Sequence, residues 1–94
     1  MIKSWNKSAS RQLFETGKSK FSGLDVEKAQ TRLAQLHAAA ALSDLSPLKS
    51  LGLHKLKGER RGFWAINIAG PWRLVFRFED GDAYDVEIVD YHRG

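Results

Sequence analysis

The sequence has no cysteine and only two prolines among its 94 residues. Without cysteine the chain can form neither a disulfide framework nor a thiolate metal site. No apolar run approaches the roughly 18 to 20 residues that are needed to cross a bilayer. The first residues, MIKSWNKSASRQ, also lack the apolar segment of a secretory signal. These absences predict a cytoplasmic protein that does not associate with a membrane.

Length and charge narrow the possibilities further. A chain of 94 residues with 43% hydrophobic residues fits one domain, residues 1–94, with one modest core. Lys and Arg outnumber Asp and Glu by 15 to 11, which gives a net charge of +4. A basic domain attracts polyanions through steering and counterion release. Charge alone fits an ordinary soluble protein equally well, so it indicates nucleic-acid binding only together with a site.

The first half of the chain has helical periodicity after a short alternating segment. Residues 2–5 alternate apolar and polar side chains, which predicts a short strand. Asn6 or Ser8 is expected to cap a short helix that ends before Gly17. Its inner side would carry Ala9, Leu13 and Phe14.

A longer helix is predicted to begin near Leu24, with Asp25 as its N-cap. Its apolar residues recur at helical spacing: Val26, Ala29, Leu33, Leu36 and Ala40. His37 lies at the edge of this apolar stripe, and we interpret it as a packed helix residue rather than a ligand. Residues 42–52 combine Ser, Asp, Pro and Gly with leucines, which is typical of an irregular connection.

The second half alternates with a period of two and predicts four strands. They are Leu53–Lys57, Phe63–Ile68, Trp72–Phe78 and Asp82–Val89. A two-residue turn at Asp80 and Gly81 would place the carboxylates of Asp85 and Glu87 on the apolar face, which is costly. A three-residue loop that includes Glu79 avoids this problem. It pairs Phe76 with Tyr84, Leu74 with Val86, and Trp72 with Ile88.

A similar loop at residues 69–71 adds Trp64, Ile66 and Ile68 to the same apolar layer. We therefore predict an α+β fold in which two N-terminal helices pack on one face of an antiparallel sheet. The other face would be polar, with Arg73 between Asn67 and Glu87. It would carry Asn67, Arg73, Arg77, Asp85 and Glu87.

Groups suited to RNA cleavage lie on this polar face and at the chain end. Attack by a ribose 2′-OH needs a base, an acid for the leaving oxygen, and cations for the phosphate. The candidates for these roles are His54, Lys57, Arg73, Asp90, Tyr91 and His92. A regular first strand would put His54 and Lys57 on opposite sides, whereas the residues after the last strand could turn into one site.

Each candidate also has a purely structural interpretation. Arg73 beside Glu87 would form an ordinary cross-strand ion pair, and the basic turn after the first strand could be a solvated loop. A metal site from His54, Asp90 and His92 is conceivable. However, the sequence has no close-spaced ligand motif, so we expect no metal and no cofactor.

Three segments together resemble the HigB toxins, also called plasmid-maintenance killer proteins, of the RelE/ParE superfamily. They are MIKSW, LFETGK and LHKLKGERRGFWAINIAGPWRLVFRFEDGDAYDVEIVDYH. The resemblance is weakest over residues 18–50. It implies a RelE-like α+β fold and ribosome-dependent mRNA cleavage in the A site. It also implies neutralisation by HigA, a helix-turn-helix antitoxin through which the complex would touch operator DNA.

The resemblance also assigns roles by position. His54 and Lys57 match the HxLKG segment, with His54 in the active site and Lys57 at a phosphate. Arg73 matches the WR segment and would stabilise the scissile phosphate. The terminal DYH motif of the family, required for its activity, corresponds to Asp90, Tyr91 and His92. We favour His92 for proton transfer and leave the base and acid roles of His54, Tyr91 and His92 open. Candidates for ribosomal RNA contact alone are Arg60, Arg61, Arg77 and Arg93.

Other functions remain open at this point. A ParE-like toxin would inhibit gyrase without catalysis, and a toxin could serve mainly as a co-regulator of its operon. ParE-type relatives generally lack the full set of His, Tyr and basic residues, which argues against the first alternative. An inactive remnant of a toxin gene would carry the same motifs.

Overall fold

A computed structural model describes residues 1–47 and 49–91 of the chain. Two helices, α1 (Ser8–Thr16) and α2 (Val26–Ala38), precede a four-stranded sheet. The strands are β1 (His54–Lys55), β2 (Trp64–Ala69), β3 (Trp72–Glu79) and β4 (Asp82–Asp90). They are antiparallel and lie in the order β1-β2-β3-β4. The predicted α+β architecture is confirmed. In the described part of the chain, no helix has the length and apolarity of a membrane span.

The helix ends follow the sequence in part. α2 begins after Asp25, whose carboxylate accepts a hydrogen bond from the Lys28 amide at 3.1 Å, as predicted. α1 ends before Gly17, as expected, with Gly17 as its C-cap. It begins after Lys7 without a side-chain cap. The prediction of Asn6 or Ser8 as its cap is wrong. The side-chain amide of Asn6 donates to Glu87 instead, and Ser8 is already the first helical residue.

The core lies between the helices and one face of the sheet. Trp72, Leu74 and Phe76 of β3 face the helices and are buried. Their partners include Leu13, Leu33, Leu36, Leu45, Leu51, Ile66, Ile68, Val86 and Ile88. Ala40, which was expected to extend this stripe, is exposed because α2 ends at Ala38.

The N-terminal segment lies along the outer edge of β4. Ile2 and Trp5 form isolated parallel bridges with Ala83 and Val86 rather than a full strand. His37 is a packed residue, as predicted. Its Nδ1 accepts a hydrogen bond from the Ile2 amide at 3.1 Å, and its ring lies 5.4 Å from that of Phe14.

The register between β2 and β3 matches the prediction over most of its length. Asn67 lies opposite Arg73, Ile66 opposite Leu74 and Trp64 opposite Phe76. At the turn, however, Ala69 pairs with Trp72 after an irregularity between Asn67 and Ala69. The predicted three-residue loop is therefore a two-residue turn, Gly70 and Pro71, that a bulge precedes in the chain.

The predicted register between β3 and β4 is wrong. Glu79 pairs with Asp82 around a two-residue turn, in which Asp80 and Gly81 have φ of 49° and 83°. The register then shifts between Val75 and Arg77, where Asp85 has a φ of 52°. This bulge keeps carboxylates off the apolar face while the turn stays tight. The observed pairs place Leu74 opposite Ile88, Val75 opposite Glu87, and Arg73 opposite Val89.

The structure also differs from the predictions for Tyr84 and for the first strand. Tyr84 lies opposite Arg77, not Phe76, so its ring is on the polar side of the sheet, 5.6 Å from the guanidinium carbon of Arg77. Strand β1 covers only His54 and Lys55, because the chain then turns at a 3₁₀ segment, Gly58–Arg60. His54 pairs with Ala65, while Lys55 pairs with Trp64.

The left-handed backbone at Asp85 leads to a stability prediction. Asp85→Val should lower the free energy of unfolding by about 1 to 3 kcal/mol more than Asp85→Asn, measured by urea denaturation. Both variants lose the ion pair with Arg77, but asparagine tolerates positive φ and a β-branched residue does not. Equal stabilities would show that the bulge imposes no backbone constraint.

Candidate active site

The face of the sheet that the helices leave uncovered, here called the open face, carries the candidate residues. Directly opposed residues place His54, Ala65, Val75 and Glu87 in one row across all four strands. The neighbouring row contains Asn67, Arg73 and Val89. Given strand spacing and rise, the Cα atoms of His54 and Arg73 are about 12 Å apart. Their side chains can therefore approach one ligand between them.

Arg73 lies at the start of β3, against the end of β4. Its Nη1 donates hydrogen bonds to the carbonyl oxygens of Gly70 and Trp72, at 2.7 and 2.9 Å. The guanidinium carbon lies 5.7 Å from the centre of the Tyr91 ring, a cation–π distance. Tyr91 is held there because its amide donates to the carbonyl oxygen of Pro71 at 2.8 Å. The structure thus brings together two of the predicted residues, Arg73 and Tyr91.

His54 is exposed at the edge of the same face. Its Nδ1 lies 2.8 Å from the carbonyl oxygen of Gly52. Because a carbonyl oxygen only accepts, Nδ1 carries the proton of the neutral ring, and Nε2 keeps its lone pair for another group. This arrangement leaves His54 able to accept a proton from a ligand on the open face.

The basic turn after β1 bends over the open face. Lys57 is exposed and precedes the 3₁₀ segment that contains Arg60, and Arg61 follows it. Arg60 extends from this turn to Glu87 on β4, where its Nη1 lies 3.7 Å from the carboxylate. The predicted ion pair between Arg73 and Glu87 is therefore replaced by one with Arg60. Since β1 ends at Lys55, strand alternation does not determine the side on which Lys57 lies.

Arg77 occupies the same face as Arg73 but has different partners. Its Nε donates to Asp85 at 2.8 Å, and its Nη1 donates to Glu79 at 3.0 Å. The hydrogen bond to Asp85 raises the pKa of the Arg77 guanidinium above its ordinary value. Two carboxylates thus compensate this positive charge, whereas Arg73 donates to carbonyl oxygens.

The chain end is only partly described. Asp90 pairs with Trp72 and so lies on the helix-covered side of the sheet, opposite to Arg73 and Tyr91. The expectation that Asp90 stands beyond the last regular pairs is therefore wrong, whereas a common site of Asp90, Tyr91 and His92 stays a prediction. His92 and Arg93 lie outside the described residues. Among residues 1–47 and 49–91, no three His, Asp or Glu side chains are grouped to hold a metal ion.

Sequence reasoning placed Glu87 on this face but missed its contacts with Asn6 and Arg60. Glu87 is only 8% exposed and accepts a hydrogen bond from the Asn6 side-chain amide at 2.6 Å. Asn6 was considered only as a helix cap, and no local pattern links it to a residue 81 positions away. The one available signal was the alternation of β4, which puts Glu87 on the polar face.

Comparisons with known proteins agree over nearly the whole chain. The family model described as "RelE-like toxin of type II toxin-antitoxin system HigB" matches residues 3–92. Endoribonuclease HigB of Proteus vulgaris is 38% identical over 93 residues, which cover 98% of this chain and 100% of that protein.

Solved structures show the same fold. The crystal structures of YafQ from E. coli, one of a mutant and one from strain BL21(DE3), superpose with a TM-score of 0.65 in each case. They are 16% and 15% identical to this chain, and each alignment covers 98% of this chain and 93% of the other.

The contacts of the two described histidines predict opposite tautomers. Neutral His54 should carry its proton on Nδ1, which faces the Gly52 carbonyl oxygen, and neutral His37 on Nε2, because its Nδ1 accepts from the Ile2 amide. Long-range ¹H–¹⁵N spectra, recorded well above the ordinary histidine pKa of about 6.5, distinguish the two states. His37 serves as the internal reference. The same tautomer at both positions would contradict the assigned geometry.

Proposed function

The chain belongs to the HigB-like family of RelE-like toxins from type II toxin–antitoxin systems, and on this premise we propose that it is an endoribonuclease. Its substrate is messenger RNA in the A site of the ribosome, and the cut stops translation. The curated relative from Proteus vulgaris carries the name endoribonuclease. The resemblance in the HxLKG, WR and DYH segments supports the ribosomal substrate. The site of action is therefore the cytoplasm, where ribosomes translate.

One observation carries this proposal: the Arg73 guanidinium lies against the Tyr91 ring on the open face, and His54 stands on the same face. A guanidinium can bind two oxygens of one phosphate through parallel N–H donors. Nη1 is fixed by two backbone carbonyl oxygens, so the group is held in place before the ligand arrives. An aromatic ring beside it offers a surface on which a base can stack.

The proposed reaction is an attack of the ribose 2′-OH on the adjacent phosphorus. A base removes the 2′ proton, the bond from phosphorus to the 5′ oxygen breaks, and an acid protonates that oxygen. We favour His92 for proton transfer, while Nε2 of His54 and the hydroxyl of Tyr91 remain candidates for the second role. Arg73 and Lys57 stabilise the extra negative charge of the phosphate in the transition state.

The remaining residues have supporting roles in this proposal. Asp90, which pairs with Trp72 at the end of β4, belongs to the proposed site through the DYH motif. Arg61 and Arg93 contact ribosomal RNA, and Arg60 and Arg77 contribute less because each meets a carboxylate. A HigA-type helix-turn-helix antitoxin neutralises the protein, and operator DNA is contacted through that antitoxin.

The first test is expression without an antitoxin. Growth should stop, and mapping of mRNA 5′ ends should show new ends inside translated reading frames, because cleavage takes place on the ribosome. The same mapping after an inhibitor of translation initiation has cleared ribosomes from the mRNA should show fewer cuts. Growth arrest without new ends would contradict nuclease activity, and cuts that persist on ribosome-free RNA would contradict the ribosomal site.

The second test compares two arginines of one strand. Arg73→Ala and His92→Ala should each lower the cleavage rate by about 10²- to 10³-fold, because each removes a group that acts on the transition state. Arg77→Ala, which removes the same side chain four residues away, should cost much less, because Asp85 and Glu79 already compensate its charge. Circular dichroism checks that all variants fold. Equal losses for Arg73→Ala and Arg77→Ala would contradict the assigned site.

A further inference from the structure

A buried patch lies on the open face in addition to the main core. Ala65 and Val75 are both 0% exposed, yet neither belongs to the cluster of residues that the helices cover. They are adjacent in the row that runs from His54 to Glu87. Part of the chain must therefore cover the middle of the open face.

The turn after β1 supplies a side chain that crosses this patch. Arg60, within the turn, reaches across β2 and β3 to Glu87 on β4. The carboxylate that it meets is fixed from the other edge of the sheet by Asn6, at 2.6 Å. One side chain, Glu87, thus connects the N-terminal segment to the turn across the full width of the sheet.

The turn has few other means of holding its position relative to the sheet. Strand β1 contributes only two paired residues. The backbone hydrogen bonds beyond it lie within the turn itself, from Leu56 to Phe63, from Arg61 to Gly58 and from Phe63 to Arg60. The first continues the register of β1 and β2, the other two fix the tip of the turn, and none of the three reaches β3 or β4.

We propose that Glu87 is a positioning residue, which holds the turn of residues 56–63 over the open face through Arg60 and thereby places Lys57 for the reaction. This inference rests on the proposed nuclease function. Lys57 immediately precedes the 3₁₀ segment of Arg60, so a rotation of the turn moves both residues together. A cation that moves by about 1 Å relative to the scissile phosphate can cost about 10²-fold in rate.

The kinetic test uses Glu87→Gln, which keeps the shape and can still accept from Asn6. Removal of a negative charge from an RNA-binding face should by itself tighten binding. We therefore expect unchanged or tighter binding to mRNA-programmed ribosomes, but a cleavage rate at saturation that is about 10- to 100-fold lower. Glu59→Gln is the matched control, because it makes the same charge change on an exposed residue of the same turn. A rate unchanged from wild type, or a loss shared equally by Glu59→Gln, would overturn the proposal.

Two further variants distinguish a positioning role of Glu87 from a general loss of structure. Glu87→Asp, which retains the carboxylate, should recover part of the rate. The double variant Arg60→Ala with Glu87→Gln should cleave no more slowly than the slower single variant, because both changes break one connection. Multiplied losses in the double variant would show that Glu87 does not act through Arg60.

A second readout does not depend on nuclease activity. Because the chain lacks cysteine, a single introduced thiol reports local cover through its rate of modification. Val75→Cys lies opposite Glu87 in the buried patch, and Leu74→Cys, its neighbour, faces the helices. Glu87→Gln should speed modification of the first thiol several-fold and leave the second unchanged.

Unchanged modification at Val75→Cys would overturn the proposal. A wild-type protein that cuts no RNA would instead overturn the proposed function, while the thiol result would still decide whether Glu87 anchors the turn.

Discussion

The strict alternation of side chains along β3 is the constraint on which both folding and the candidate site depend. Trp72, Leu74 and Phe76 fill the core beneath the helices, so the intervening residues are forced onto the open face. Arg73 owes its position to this alternation. A one-residue slip of the strand would exchange its two faces, and would bury the guanidinium while exposing the core. Core packing and the placement of Arg73 on the open face are therefore enforced by the same register.

The arginines that lie at the open face differ in the partners of their positive charge. Arg60 and Arg77 each meet a carboxylate within 4 Å, and both carboxylates, Glu87 and Asp85, come from β4. Arg73 donates to carbonyl oxygens and lies against an aromatic ring instead. Peptide dipoles orient a guanidinium without cancelling its charge, which keeps it available to an incoming anion. The bulge at Asp85 makes this division possible, because it directs successive carboxylates of β4 to the open face.

The sequence was sufficient to predict the architecture, the order of the elements and the placement of Arg73 opposite Asn67, since long alternating segments determine which residues share a face. It was insufficient for the β3–β4 register. Alternation in a regular hairpin disfavours the tight turn, because that turn would place the carboxylates of Asp85 and Glu87 in the core. The protein keeps the tight turn and corrects the faces with an extra residue at Asp85. A bulge has no strong sequence signature at an aspartate, so alternation alone could not reveal it.

The site was predictable to a similar extent. Motifs indicated Arg73 and Tyr91, and the structure places them in contact. Alternation did not predict that Asp90 remains paired with Trp72, because the end of a strand depends on tertiary contacts. The contacts of Glu87 with Asn6 and Arg60 join segments from distant parts of the chain. Local patterns carry no information about such contacts.

The N-terminal segment along β4 also affects whether other chains can pair with the edge of the sheet. β4 is the longest strand, with nine residues, and a bare outer edge of that length would be a template for intermolecular strand pairing. Backbone bonds from Lys3 and Asn6 to β4, and from β4 back to Met1 and Ser4, occupy that edge. At the opposite side, Arg32 of α2 donates to the carbonyl oxygen of Asn67, beyond the end of the short β1. Sheet extension by a second molecule along β4 would have to displace the N-terminal segment first, which disfavours strand pairing between molecules at this edge.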